Sequence, residues 1–164
     1  MAEYNGNNIF EKLGALIPGY KGYSEREGRR ETDKILREQI VDSLNNNISV
    51  LYKWNRAFLK EGHLEQLTEV EDIEKKLRII TDQIKFAQCG DSGFFDVVQV
   101  NEKTLDNLYL YDMAFKKKVD EFITNLNSIN SHQRKGVGLE NLSEQLDSLK
   151  QIVENRDKLI TEIE

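Results

Sequence analysis

The residues of this sequence that could do chemistry are few: two histidines, one cysteine and a surplus of carboxylates. Cys89 stands beside Gly90 with no histidine near it in the sequence. A reactive thiol needs an electropositive, accessible setting, so Cys89 reads as a small packing residue. His63 lies between Glu61 and Glu65, where exposure or helix capping is a simpler reading than a weak surface metal site. His132, within SHQRKG, reads the same way. A di-iron centre in a helical bundle needs E-x-x-H on two helices plus further inward carboxylates. The chain contains no E-x-x-H, which excludes that centre. Gly90-Asp-Ser-Gly93 is not followed by G-K-[ST] and Gly136-Val-Gly138 is only a G-x-G fragment, so both read as turns. The sequence therefore names no catalytic residue, no metal ligand and no cofactor.

Composition bounds what can position any site. The chain has 164 residues, with 29 acidic and 23 basic side chains and a net charge of −6. That length suits one domain with one packed core. The acidic balance argues against a nucleic-acid partner. A single Cys makes no internal disulfide. No apolar run approaches a membrane span, and the opening MAEYNGNNIF lacks the layout of a signal peptide. The reading that follows is a cytoplasmic chain. One Pro in a charge-rich sequence points to long helices.

Hydrophobic periodicity predicts four of them, over residues 24–61, 64–89, 102–130 and 139–164. Ser24 and Glu27 have the spacing of a capping box. The first seam is Leu36, Ile40, Leu44, Ile48, Leu51, Trp54 and Phe58, interrupted by the poor helix formers Asn45, Asn46 and Asn47. The second, from Val70 through Ile73, Leu77, Ile80 and Ile84 to Ala87, alternates gaps of three and four in the heptad manner. Leu105, Leu108, Asp112, Phe115, Val119, Phe122, Leu126 and Ile129 make the third. The fourth is Leu139, Leu142, Leu146, Leu149, Val153, Arg156, Ile160 and Ile163. Residues 8–17 suit a short amphipathic helix within an N-terminal segment, 1–23, that precedes the bundle of residues 24–164. The predicted fold is all-α, an elongated antiparallel bundle. Short connections make successive helices antiparallel neighbours in an up-down-up-down order.

Two charges stand out in this frame. Asp112 and Arg156 are each the one charged residue of an otherwise apolar seam. Folding the third helix against the fourth about residues 134–135 brings them opposite each other, which predicts a polar pair that fixes register. The same folding sets Lys116, Lys117 and Lys118 near the acidic start of the second helix.

A candidate interaction surface combines Tyr20, Lys21, Tyr23, Arg26, Arg30 and Lys34 with Phe94 and Phe95 of the 90–101 connection. Arg26, Arg30 and Lys34 are four apart and would share one helix face. Aromatic groups beside basic ones suit an acidic partner or an anionic membrane surface, although Glu25, Glu27, Glu31 and Asp33 are interleaved. Adjacent exposed phenylalanines would mark a partner site.

The run Ile17-Pro-Gly-Tyr-Lys-Gly-Tyr, continued by Glu25, Arg29-Arg30-Glu31, Asp33 and Leu36-Arg37, resembles the start of small, uncharacterised helical proteins of bacteria and archaea. Gly93-Phe-Phe-Asp96 and Leu108-Tyr-x-Tyr-Asp112 fit the same resemblance. It implies an all-helical fold and carries over no functional residue. The function expected from the sequence is a non-catalytic adaptor or scaffold with a protein partner or self-association. The alternative is peripheral attachment to the inner face of a membrane through residues 8–37. An enzyme comes third, and it would need a polar pocket around Asp112.

Overall fold

The computed structural model describes residues 6–87, 102–129 and 137–161. The fold is an all-α bundle. Among the described residues it has five α-helices, here α1 (Gly6–Leu16), α2 (Arg29–Glu61), α3 (Leu64–Phe86), α4 (Glu102–Ser128) and α5 (Val137–Thr161). A 3₁₀ turn over Arg26–Gly28 leads into α2. The apolar seams face inward. Leu36, Ile40, Leu44, Leu51, Trp54 and Phe58 of α2 are buried against the corresponding seams of α3, α4 and α5.

The long α2 does not begin at Ser24. Its N-cap is Gly28, with no side-chain cap hydrogen bond, so the expected Ser24–Glu27 box does not form. The chain just upstream is held otherwise: Thr32 Oγ1 donates to Gly22 O at 2.9 Å and Arg29 Nε to Tyr23 O at 2.6 Å. The asparagine tract stays helical. Ser43 Oγ donates to Gln39 O and Asn47 Nδ2 to Ser43 O, each at 2.8 Å. Packing of the flanking Leu44 and Leu51 overrides weak propensity there.

Gly62 ends α2 in the left-handed region, at φ 74°. His63 N–H returns to Phe58 O at 2.9 Å and Gly62 N–H to Leu59 O at 3.4 Å, the paired bonds of a Schellman motif. Downstream, α3 stops at Phe86, and Ala87 is already extended.

The order around the bundle differs from the expected one. The close pairs are α2 with α3, α4 with α5, α3 with α5, and α2 with α4. Successive helices α3 and α4 therefore occupy a diagonal. Asn127 of α4 reaches Asn47 of α2 at 2.8 Å, and Asp33 and Asp112 share Arg156 near the starts of the same two helices. These contacts make α2 and α4 parallel neighbours. Lys76 meets Asp147 at 2.8 Å, while Arg37 links Ile84 O to Asp157, so α3 and α5 are parallel as well. The neighbour rule applies to short loops, whereas the link between α3 and α4, residues 87–101, has the reach to cross the end of a bundle. This order also separates the triple lysine from the start of α3. Lys116 and Lys118 instead pair with Asp120 and Glu121 of their own helix.

Candidate functional site

The one concentration of chemistry among the described residues is a buried polar cluster under the N-terminal segment. Its roof begins with α1, where Ile9 and Leu13, four apart, turn one face onto the bundle, and Ile17 follows at the same spacing. Ile17-Pro18-Gly19-Tyr20 then reverses the chain. Tyr20 N–H returns to Ile17 O at 3.1 Å, with Gly19 at φ 84°, and Pro followed by a positive-φ Gly is the pattern of a type II turn. Three residues on, Tyr23 N–H donates to the Tyr109 hydroxyl at 3.0 Å. Phe10, Tyr20, Tyr23 and Tyr109 form an aromatic group, with Tyr20 and Tyr23 edge to face at 6.1 Å between centroids.

Gly22 sits inside this group at φ 78°, and a Cβ there would lie 2.6 Å from the Tyr109 hydroxyl and 2.8 Å from the Phe10 ring. At Gly62 the same change meets open space and only backbone strain. Gly62→Ala should therefore cost about 1–2 kcal/mol. Gly22→Ala should cost clearly more, because it adds a steric clash to the same strain. Urea denaturation of the two variants checks the order.

Beneath the roof lies Asp112, with no exposed surface. Its Oδ2 accepts from the hydroxyls of Tyr20 at 2.7 Å and Tyr23 at 2.6 Å. Its Oδ1 accepts from Arg156 Nε at 2.6 Å. Arg156, also without exposed surface, donates through Nη2 to the Tyr23 hydroxyl at 2.9 Å. Its Nη1 makes an ion contact with Asp33 Oδ1 at 2.7 Å, without hydrogen-bond alignment. From Asp33 the chain of charges continues outward. Arg37 Nε donates to Asp33 Oδ2 at 3.0 Å, and Arg37 Nη2 to Asp157 Oδ1 at 2.7 Å. Acid and base thus alternate from Asp112 through Arg156, Asp33 and Arg37 to Asp157, which is the arrangement that makes buried charge tolerable.

The surroundings shift the proton affinities of the tyrosines, Asp33 and Arg156. Burial, reinforced by the charge of Asp112, pushes the Tyr20 and Tyr23 hydroxyls far above the ordinary tyrosine value. Burial likewise raises Tyr109. For Asp33 burial works upward, but Arg156 and then Arg37 outweigh it and hold the carboxyl below its usual value. For Arg156 burial works downward, and Asp112 foremost outweighs it, leaving the guanidinium a firmer cation than usual. At neutral pH the tyrosines are protonated donors, Asp33 is ionised and Arg156 is charged. The geometry is that of a structural clamp joining the N-terminal segment, α2, α4 and α5.

The residues singled out in the sequence fall into three groups. Asp112 and Arg156 meet directly. Tyr20 and Tyr23 belong with them and not with a surface: only 6% of Tyr20 and none of Tyr23 is exposed, because their rings complete the core and their hydroxyls complete Asp112. Lys21, Arg30 and Lys34 are exposed, with Lys34 Nζ 3.9 Å from Glu38. The expected basic stripe is broken, since Arg26 lies in the 3₁₀ turn and only Arg30 and Lys34 share α2. The Arg26 side chain, Phe94, Phe95, Cys89 and His132 lie outside the described residues.

Asp33, Arg37 and Asp157 join the cluster in the structure without standing out in the sequence. A signal existed for the first two: positions 33 and 37 extend the seam of Ile40 and Leu44 backwards at spacings of four and three.

Among the described residues no group of three His, Cys, Asp or Glu side chains is placed to hold a metal ion. No described helix is long and apolar enough to cross a membrane. Two surface grooves lie beside the cluster. The larger, about 700 Å³, runs between α2 and the end of α3 past Arg30, Lys34, Val41 and Phe86. The other, about 410 Å³, lies between the end of α1 and α4 and includes Leu16, Met113 and Lys116. Asp112 lines neither.

No protein-family model matches the chain, and no solved structure matches it. It is similar to nucleoporin nup211 of Schizosaccharomyces pombe, at 26% identity over 170 residues. The match covers 89% of this chain and 9% of that protein, so the chain spans less than a tenth of the relative's length.

Proposed function

We propose that this protein is a non-catalytic interaction module, a helical adaptor or scaffold that binds protein partners through the outer faces of its bundle. The observation that carries this reading is the burial of the N-terminal segment. Attachment to a membrane through residues 8–37 needs the apolar face of α1 and the two tyrosines at the lipid, and here Ile9, Leu13, Ile17, Tyr20 and Tyr23 all face the core. What remains exposed from that stretch is charge with Leu16 as its one large exposed apolar side chain, and stable peripheral binding needs a larger apolar face. The enzyme reading loses its candidate for a comparable reason. Asp112 is sealed and fully engaged by Arg156, Tyr20 and Tyr23, with no room for a substrate beside it.

Exposed large apolar side chains on the α2–α3 hairpin supply contact points. Phe86, Leu64, Leu59 and Ile79 are each more than half exposed. The partial likeness to a nucleoporin supports a role as a helical building block. Two settings suit such a module: the cytoplasm, in keeping with the resemblance to small prokaryotic helical proteins, and a nuclear pore, in keeping with nup211.

A photo-crosslinking amino acid placed at Ile79 or Phe86 in cells should yield discrete protein adducts. Their absence at both positions would overturn the adaptor reading. Full-length protein should not float with phosphatidylserine vesicles. Flotation that is weakened by salt and lost in Arg30→Glu/Lys34→Glu would favour the membrane instead.

A further inference from the structure

The buried charges are confined to one end of the bundle. Asp33, Arg37, Asp112 and Arg156 all lie beneath or beside the segment of residues 9–23. Thr81, the buried polar side chain of α3, lies at the same end, one turn before Ile84, whose carbonyl Arg37 reaches. Everything else in the four seams is apolar. A purely apolar seam needs a permanent cover, because water gives it nothing in return for exposure. A paired acid–base chain does not. If the cover leaves, Arg156 keeps Asp112 and Asp33, and water can replace the two tyrosine hydroxyls at Asp112.

The cover itself has little stability of its own. Its helix is 11 residues long, short of what holds as an isolated helix in water. It reaches α2 through the Pro18-Gly19 turn and a second glycine at positive φ, Gly22. Its grip on the bundle is a compact pattern: aliphatic side chains at Ile9, Leu13 and Ile17, then hydroxyl-bearing rings at Tyr20 and Tyr23.

We propose that residues 6–23 act as a displaceable ligand held in cis, and that the groove they fill is a receptor for a segment of a partner protein. The segment that fits is a short amphipathic helix with aliphatic residues at i, i+4 and i+8, ended by a chain-reversing Pro-Gly turn that carries tyrosines at i+11 and i+14. The floor of Asp112 and Arg156 reads the tyrosines. A phenylalanine in their place buries Asp112 Oδ2 without its donors, and a site built around hydrogen bonds rejects the analogue that lacks them. The tethered segment competes at an effective concentration of about millimolar, so the free groove is presented only to a partner that outbids it. This inference rests on the interaction-module reading and assigns that module one specific site.

Two measurements test it. The first is native-state hydrogen exchange on the wild-type chain. Amides of α1 should exchange through an opening that leaves α2 to α5 protected. Exchange of α1 only with global unfolding would overturn the proposal. The second uses a labelled synthetic peptide of residues 6–23 and full-length protein carrying Leu13→Asp, which expels the tethered segment by burying a charge. The peptide should bind the variant saturably and the wild type at least about tenfold more weakly. A peptide with Tyr20→Phe and Tyr23→Phe should bind the variant at least about fivefold more weakly than the unmodified peptide. Absence of peptide binding to a helical variant, or loss of the helical signal in Leu13→Asp, would each overturn the proposal. A wild-type dimer by light scattering whose segments are exchanged would replace the partner protein with a second copy. Crosslinked adducts at Ile79 or Phe86 that persist after a negative peptide result would sink this site and leave the adaptor reading intact.

Discussion

Arg156→Met is expected to destabilise the protein by about 3–5 kcal/mol, the typical cost of removing one partner from a buried ion pair. The methionine roughly fills the space of the guanidinium stem, so packing loss is a small part of the effect. The larger part falls on the groups left behind. Asp112 loses the Nε bond at 2.6 Å and has no exposed surface, while Asp33, which borders the larger groove, loses the Nη1 contact at 2.7 Å. For a chain of this size the loss corresponds to a fall of roughly 6–20 °C in Tm. Urea denaturation with an unchanged m-value would identify the effect as stability and not altered compactness. Adding Asp112→Asn should recover part of the loss, because the neutral amide no longer needs a counter-charge. A double-mutant cycle should then give a coupling of about 0.5–3 kcal/mol. A loss below about 1 kcal/mol is the value for an exposed pair, and it would mean that the clamp is open in solution.

Raising the pH above 10 should steeply destabilise the closed protein, in which residues 6–23 cover Asp112. Tyr20 and Tyr23 have folded-state pKa values raised above the ordinary value of 10.0 by burial and by Asp112. The sign follows from proton counting. Below pH 10 both states hold both protons and stability does not respond. Above it the unfolded chain releases two protons that the folded chain keeps, so the unfolded state binds fewer protons and stability falls as pH rises. Two groups give a slope of about −2.7 kcal/mol per pH unit, and Tyr109, raised by burial as well, steepens it. Against a total stability of about 5–15 kcal/mol, one or two units of pH consume much of the fold. The tyrosinate absorbance of Tyr20 and Tyr23 should rise as residues 6–23 are released, ahead of the circular dichroism loss of α2 to α5. Tyr20→Phe or Tyr23→Phe should each flatten the slope by about 1.4 kcal/mol per unit, while lowering stability at neutral pH by removing a donor to Asp112. Ionisation of all the tyrosines near pH 10 with the helices intact would disprove the burial on which the clamp depends.

The helices were legible because helical periodicity is a local property. Leu36, Ile40 and Leu44, or Phe115, Val119 and Phe122, show their buried face through spacing alone, and all of them are buried. The meeting of Asp112 and Arg156 was legible for a related reason. A hairpin of two adjacent helices has a simple register, and a charge in an apolar stripe has to be answered by another. The all-α class and this one pair are what the sequence by itself determined.

Only the tertiary structure decided the rest. Tyr20 and Tyr23 follow Pro-Gly and Gly turns, where no repeat indicates which way a side chain faces, and the basic residues around them suggested a surface. Their inward course depends on Asp112, 89 residues away from Tyr23. The seating of α2 beside α4, with α3 and α4 on a diagonal, depends on a long connection whose path no local pattern encodes. That order brings Asp33 to Arg156 and extends a pair into a chain of five charges. Spacing reveals which residues seek burial, because each helix turns its own stripe inward. Which groups they meet depends on elements distant in sequence, and only the assembled bundle settles it.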